Sequence, residues 1–85
     1  MSFYYTYVLQ STKDSTLYVG WTDELKDRVK THNDGKVSST KLKIPYNLIY
    51  FEGCRTKKLA ILREKQLKTG FGRAYLNRRL SLKVK

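Results

Sequence analysis

The chain has one cysteine, one proline and one histidine, and its last thirty-one residues hold a single carboxylate side chain. Each scarcity excludes something. Cys54 alone forms no internal disulfide and is too little for a cysteine zinc cluster, so it reads as a small apolar residue at a strand end. No apolar run approaches bilayer length, and Met1-Ser2-Phe3-Tyr4-Tyr5 lacks the basic-then-apolar pattern of a signal peptide. A soluble, cytoplasmic protein is expected. Internal repeats and low-complexity stretches are missing too, and 85 residues suit one compact domain over 1–85.

What is abundant is positive charge and tyrosine. The net charge is +11, and it is unevenly spread. Residues 1–54 carry seven Lys/Arg against six Asp/Glu, whereas residues 55–85 carry eleven against one. Such asymmetry predicts a surface for a polyanion, because phosphate neutralisation dominates non-specific nucleic-acid binding. A membrane-surface helix would need a broad apolar face with interfacial aromatics, which this stretch lacks. Seven tyrosines are many for this length, and most are expected in core or edge packing.

Residues 3–10 and 15–21 are rich in aromatic and β-branched types and read as strands, joined by the turn chemistry of Ser11-Thr12-Lys13-Asp14. A two-residue turn at 12–13 or a four-residue loop at 11–14 places Tyr7 directly opposite Tyr18. Thr22 is a candidate helix cap, with Asp23 and Glu24 suiting the helix dipole in the first turn. In that helix Leu25 and Val29 form an apolar stripe, and Arg28 and His32 are neighbours four apart. Asn33-Asp34-Gly35 ends it.

Residues 36–45 form a polar, basic connection, in which Ser38, Ser39, Thr40, Lys41 and Lys43 are candidates for phosphate contact. Residues 46–54 form a third strand, whose apolar centre predicts cover on both faces. Thr56 caps a second helix to about Lys68, ended by Gly70, with Leu59, Leu62 and Leu67 buried and Ala60 allowing close approach. A third helix over about 73–81 carries Leu76 and Leu80, with Arg78 and Arg79 facing solvent. The predicted class is α/β, in the order β-β-α-β-α-α, with a small three-stranded sheet containing an antiparallel hairpin.

Tyr5-Thr6-Tyr7, Tyr18-Val19-Gly20, the Arg28-x₃-His32 helix and Arg63-Glu64-Lys65-Gln66-Leu67-Lys68 stand in order along the chain. Together with the closing Thr69-Gly70-Phe71-Gly72-Arg73-Ala74-Tyr75-Leu76, this set resembles the GIY-YIG endonuclease superfamily, in its small, single-domain, excision-repair-nuclease-like branch. The first motif has Tyr5 where the family has glycine, and Trp21 stands where several relatives carry lysine, serine or threonine. The resemblance implies a metal-dependent endonuclease hydrolysing DNA phosphodiesters with little sequence preference, using Mg²⁺ or Mn²⁺. It implies Tyr7, Tyr18, Arg28, His32 and Glu64 as catalytic residues, with Glu64 as the metal ligand. One tyrosine takes the proton from water, or is oriented to do so, while the other organises phosphate and water; which does which is open.

Elementary chemistry agrees with that assignment. Glu64 is a hard oxygen donor, and Mg²⁺ beside phosphates commonly takes one carboxylate and keeps waters. Arg28 offers a planar fork that binds phosphate oxygens and keeps its proton. His32 suits a proton relay or the steadying of a tyrosine hydroxyl. A tyrosine base needs a neighbouring cation, since an unperturbed phenol is only about 0.1% ionised at pH 7. Lys41, Lys43, Lys65, Lys68 and Arg73 are the expected nucleic-acid contacts. The expected partner is DNA, without membrane or small-molecule cofactor, bound by a monomer or weak homodimer. The alternatives are a non-catalytic nucleic-acid-binding module on the same fold and a small basic protein docked on RNA or on another protein.

Overall fold

The computed structural model describes residues 2–82. Among them the order is β1 (Tyr4–Ser11), β2 (Leu17–Thr22), α1 (Leu25–Asn33), a 3₁₀ turn (Lys41–Lys43), β3 (Tyr46–Cys54), α2 (Lys57–Leu67) and α3 (Gly70–Leu80). The strands form one antiparallel sheet in the order β2-β1-β3, so the class and element order follow the expectation. No helix among the described residues is long and apolar enough to cross a membrane.

The hairpin differs from the sequence reading in register. Tyr7 faces Gly20, and Tyr18 faces Leu9. The loop is Thr12–Ser15, closed by the Ser11 N–H to Thr16 carbonyl bond of 2.9 Å. Ser11 Oγ accepts the N–H groups of Lys13 and Asp14, Asp14 Oδ1 accepts the N–H and the hydroxyl of Thr16, and Ser15 takes a left-handed φ of 64°. These local bonds hold a loop displaced by one residue from 11–14. A one-residue displacement of the loop moves the register by two, so Tyr7 and Tyr18 stay on one sheet face as diagonal neighbours.

β1 is the strand covered on both faces. On one face Val8 joins Val19, Leu67 and Leu76 in a core beneath α2 and α3; on the other Tyr7, Leu9 and Tyr46 pack with Leu25 and Val29 of α1. β3 is an edge strand with Leu48 and Phe51 exposed, contrary to the expected double cover. Its apolar residues are shared between the two cores, Ile49 and Tyr50 packing on the Val8 side and Tyr46 on the Tyr7 side.

Helix boundaries were set by side-chain caps in two cases. Thr56 and Thr69 accept the N–H groups of Leu59 and Gly72, each at 3.1 Å. Gly70 therefore opens α3 and does not end α2. Thr22 belongs to β2 and Glu24 precedes α1, so the expected Thr22 cap is absent, although its hydroxyl accepts the Glu24 N–H. Gly35, with φ 78°, follows α1 as expected. On α2 the inward stripe is Ala60, Glu64 and Leu67, while Leu59 and Leu62 point outward. The Thr6 hydroxyl donates to the Ala60 carbonyl at 2.9 Å and ties this helix to the central strand. Gly72 packs so closely on the end of α2 that a Cβ there would lie 2.3 Å from the Gln66 carbonyl oxygen.

Candidate active site

Tyr7 projects from the central strand over Gly20. A Cβ at Gly20 would stand 2.7 Å from the Tyr7 hydroxyl, so glycine here is what lets the phenol lie flat across β2. The ring is 1% exposed, and its hydroxyl meets His32 Nε2 at 2.9 Å. His32 Nδ1 in turn meets Thr40 Oγ1 at 2.9 Å, and Thr40 approaches the Val37 carbonyl at 3.4 Å. Thr40 has one hydroxyl proton, which the Val37 carbonyl takes. Nδ1–H then donates to Thr40, and Nε2 accepts from Tyr7. This tautomer suits a neutral ring, and burial, helped by the charge of Arg28, pushes His32 down to about 4.

Arg28, one turn before His32, faces both phenols. Burial raises Tyr7 above its ordinary value, outweighing the neighbouring Arg28 guanidinium, which lowers it. Burial withdraws the solvation a Tyr7 phenolate needs, and Arg28 alone does not offset that loss. Tyr18 closes the cluster: its ring lies 4.8 Å from His32 and 6.3 Å from Tyr7, and it is only half-buried.

Glu64 enters from α2. Its charge reaches Tyr7 as a small upward influence, and its side chain is only 19% exposed. Lys68 Nζ holds Oε2 at 2.8 Å. Among the described residues no three His, Cys, Asp or Glu side chains gather as a metal cage. Glu64 offers a single, largely buried carboxylate near Tyr7, a donor that fits a hard ion keeping most of its water.

The phosphate contacts expected from sequence divide. Lys68 and Arg73 line a groove that also includes Tyr18. Lys43 is tied to Asp14 at 3.1 Å, and Asp14 sits well below the usual carboxylate range through hydrogen bonds from Thr16 and Lys43. Lys41 and Lys65 are exposed, without an ion pair among the described residues. Thr40, expected at the surface, is 1% exposed and serves His32. Nothing in its spacing signalled this, since the contact joins α1 to a loop eight residues away. A second network also went unforeseen: Arg63 grips Glu52 through Nε and Nη2, Tyr50 donates to Glu52, and the Tyr50 and Tyr75 hydroxyls meet at 2.8 Å.

A family model described as the GIY-YIG catalytic domain matches residues 3–79. The chain belongs to the GIY-YIG family. Its relatives include UPF0213 proteins, a small GIY-YIG family. One from Clostridium perfringens is 42% identical over 65 residues, covering 75% of this chain and 69% of that protein. One from Bacillus licheniformis is 44% identical over 62 residues, covering 72% and 63%, and one from Streptococcus pyogenes is 43% identical over 61, covering 71% and 65%. The chain thus spans about two thirds of the length of these curated relatives. No solved structure matches it. GIY-YIG membership points to an endonuclease and to nucleic acid as partner.

Proposed function

We propose that this GIY-YIG domain is a divalent-metal-dependent endonuclease that hydrolyses DNA phosphodiesters with little sequence preference. The observation that carries the reading is the buried Tyr7–His32 hydrogen bond, with the Tyr18 ring packed on His32 and Arg28 one helix turn away, while Glu64 on a separate helix is near enough for its charge to act on Tyr7. Packing alone does not require a guanidinium, an imidazole and a carboxylate around two phenols.

The roles follow from exposure. Tyr7 is sealed, with its hydroxyl bonded to His32 and the Arg28 charge beside it, so it helps place the imidazole and does not meet solvent. Tyr18 is the phenol open to the groove, and it orients the attacking water by accepting its hydrogen bond. Arg28 binds the nonbridging phosphate oxygens and stabilises the charge that grows as the water oxygen bonds to phosphorus, the bond from phosphorus to the leaving oxygen breaks, and the proton lost by the water passes through solvent to that oxygen. Glu64 would hold Mg²⁺ or Mn²⁺, which when bound neutralises charge on phosphate and leaving oxygen. Lys68 and Arg73, with Lys41, Lys43 and Lys65 farther out, supply the cationic track for DNA.

The test is cleavage of labelled duplex, branched and single-stranded substrates, with Mg²⁺ or Mn²⁺ and with chelator, by wild type and Glu64→Ala. Metal-dependent cutting that disappears in the variant, with binding retained, is expected. Binding without cutting by wild type overturns the reading in favour of a non-catalytic module, and equal cutting by both proteins removes Glu64 from the site.

A further inference from the structure

Beside Tyr18 a groove of about 260 Å³ opens between β2 and the corner where α2 meets α3. Its floor is apolar, built from Leu17, Val19, Leu67 and Leu76. Its rim carries two cations, Lys68 and Arg73. Val19, Leu67 and Leu76 belong to the core, so the groove reaches down to the packed interior. Arg28 and His32 do not line it, and the reaction described above uses its Tyr18 edge and its cationic rim but assigns nothing to its apolar floor.

We propose that this groove takes one unpaired base, that of the nucleotide next to the scissile phosphate, with the adjoining phosphate held between Lys68 and Arg73. The inference rests on the nuclease reading and adds a substrate class to it: nucleic acid with an unpaired or extruded nucleotide at the cut.

Continuity comes first. Tyr18 is shared by the groove and the catalytic cluster, and Lys68 on the rim is bonded to Glu64. A backbone leaving the reacting phosphate on this side therefore enters the groove within one nucleotide. Charge comes second, since an apolar floor under two cations matches a base joined to a phosphate better than it matches an apolar peptide. Size and depth come third. The volume lies below the range of pockets for drug-sized ligands, so it admits one ring system. A base held in a duplex keeps its faces stacked and cannot reach such a floor unless it is extruded. The floor offers few hydrogen-bonding groups, so it selects for an unpaired state and not for base identity.

The experiment uses Glu64→Ala protein, which binds without cutting, and oligonucleotides carrying a fluorescent adenine analogue at successive positions around the wild-type cut. Emission is expected to change at the nucleotide flanking the cut in single-stranded and bulged DNA, and to stay constant in full duplex. Leu17→Trp, which fills the groove, should abolish that change and weaken binding by roughly tenfold. Arg73→Ala, at an exposed position, should weaken binding to all sequences and reduce the salt slope by about one. Constant emission at every flanking position while wild type still cuts, or unaltered binding in both variants, overturns the groove and leaves the nuclease reading intact. A protein that cuts nothing yet shifts emission at one bound position loses the nuclease reading and keeps the base-binding groove.

Discussion

Replacing Gly20 by alanine puts a methyl group where the Tyr7 phenol now lies. The added Cβ would stand 2.7 Å from the hydroxyl oxygen, 2.8 Å from Cζ and 3.1 Å from Tyr18 Cε2. To reach ordinary contact the Tyr7 hydroxyl must retreat by roughly 0.7 Å, from 2.7 to 3.4 Å, inside a packed core. Overpacking of this kind costs ~1–3 kcal/mol, and relief of unfolded-state glycine entropy returns up to ~1 kcal/mol. A net loss of ~1–2 kcal/mol lowers the melting temperature by roughly 4–16 °C for a domain of this size. The functional loss should be larger. The hydroxyl that moves is the one bonded to His32 and facing Arg28, and a misplacement near 1 Å costs on the order of 10²-fold in rate. Thermal unfolding and single-turnover cleavage measure the two effects on the same sample. Gly70→Ala is the control: its Cβ meets nothing within 4 Å, so stability and rate should stay within error or rise slightly. Wild-type melting and cutting by Gly20→Ala would refute the reasoning, because it would mean that the phenol does not occupy the space over β2.

Three further outcomes follow from the same geometry. His32 is depressed from 6.5 to about 4, so the folded state favours its neutral form; that contribution is complete above pH 6.5, declines as pH falls toward 4, and is worth up to ~3 kcal/mol. Urea midpoints should fall across that window, and the fall should be shallower in His32→Gln. Gly72→Ala drives a methyl group into the backbone of Gln66 and Leu67, which cannot turn aside, so destabilisation near the upper end of ~1–3 kcal/mol is expected in chemical unfolding. Thr56→Ala removes the α2 cap and should cost ~1 kcal/mol while leaving the cleavage rate unchanged, which separates stability from catalysis on one helix.

Much of this protein is local, and what is local can be read from the chain. Strand composition, the Thr56 cap, the Arg28 and His32 spacing and the cationic second half depend on near neighbours, and they led to the element order. The family resemblance rested on the same short motifs, and the match over residues 3–79 agrees with it. The hairpin register was not readable, because a loop at 11–14 and one at 12–15 use the same turn residues. Side-chain bonds from Ser11 and Asp14 chose between them.

The sequence by itself determined which segments form strands and helices, and which side chains share a helix turn. Those properties follow from backbone sterics and from spacings of three to four residues. Only the tertiary structure decided that β1 is central and β3 an edge, because sheet order depends on which surfaces find cover. It also decided that Glu64 joins the expected Ala60 and Leu67 on the inward side of α2 while Leu59 and Leu62 face out. With α2 tied to the central strand through the Thr6 hydroxyl and the Ala60 carbonyl, the Glu64 carboxylate comes near enough for its charge to act on Tyr7. The buried Thr40 behind His32 is of the same kind, since a contact between a helix and a distant loop exists only once the core has closed around both.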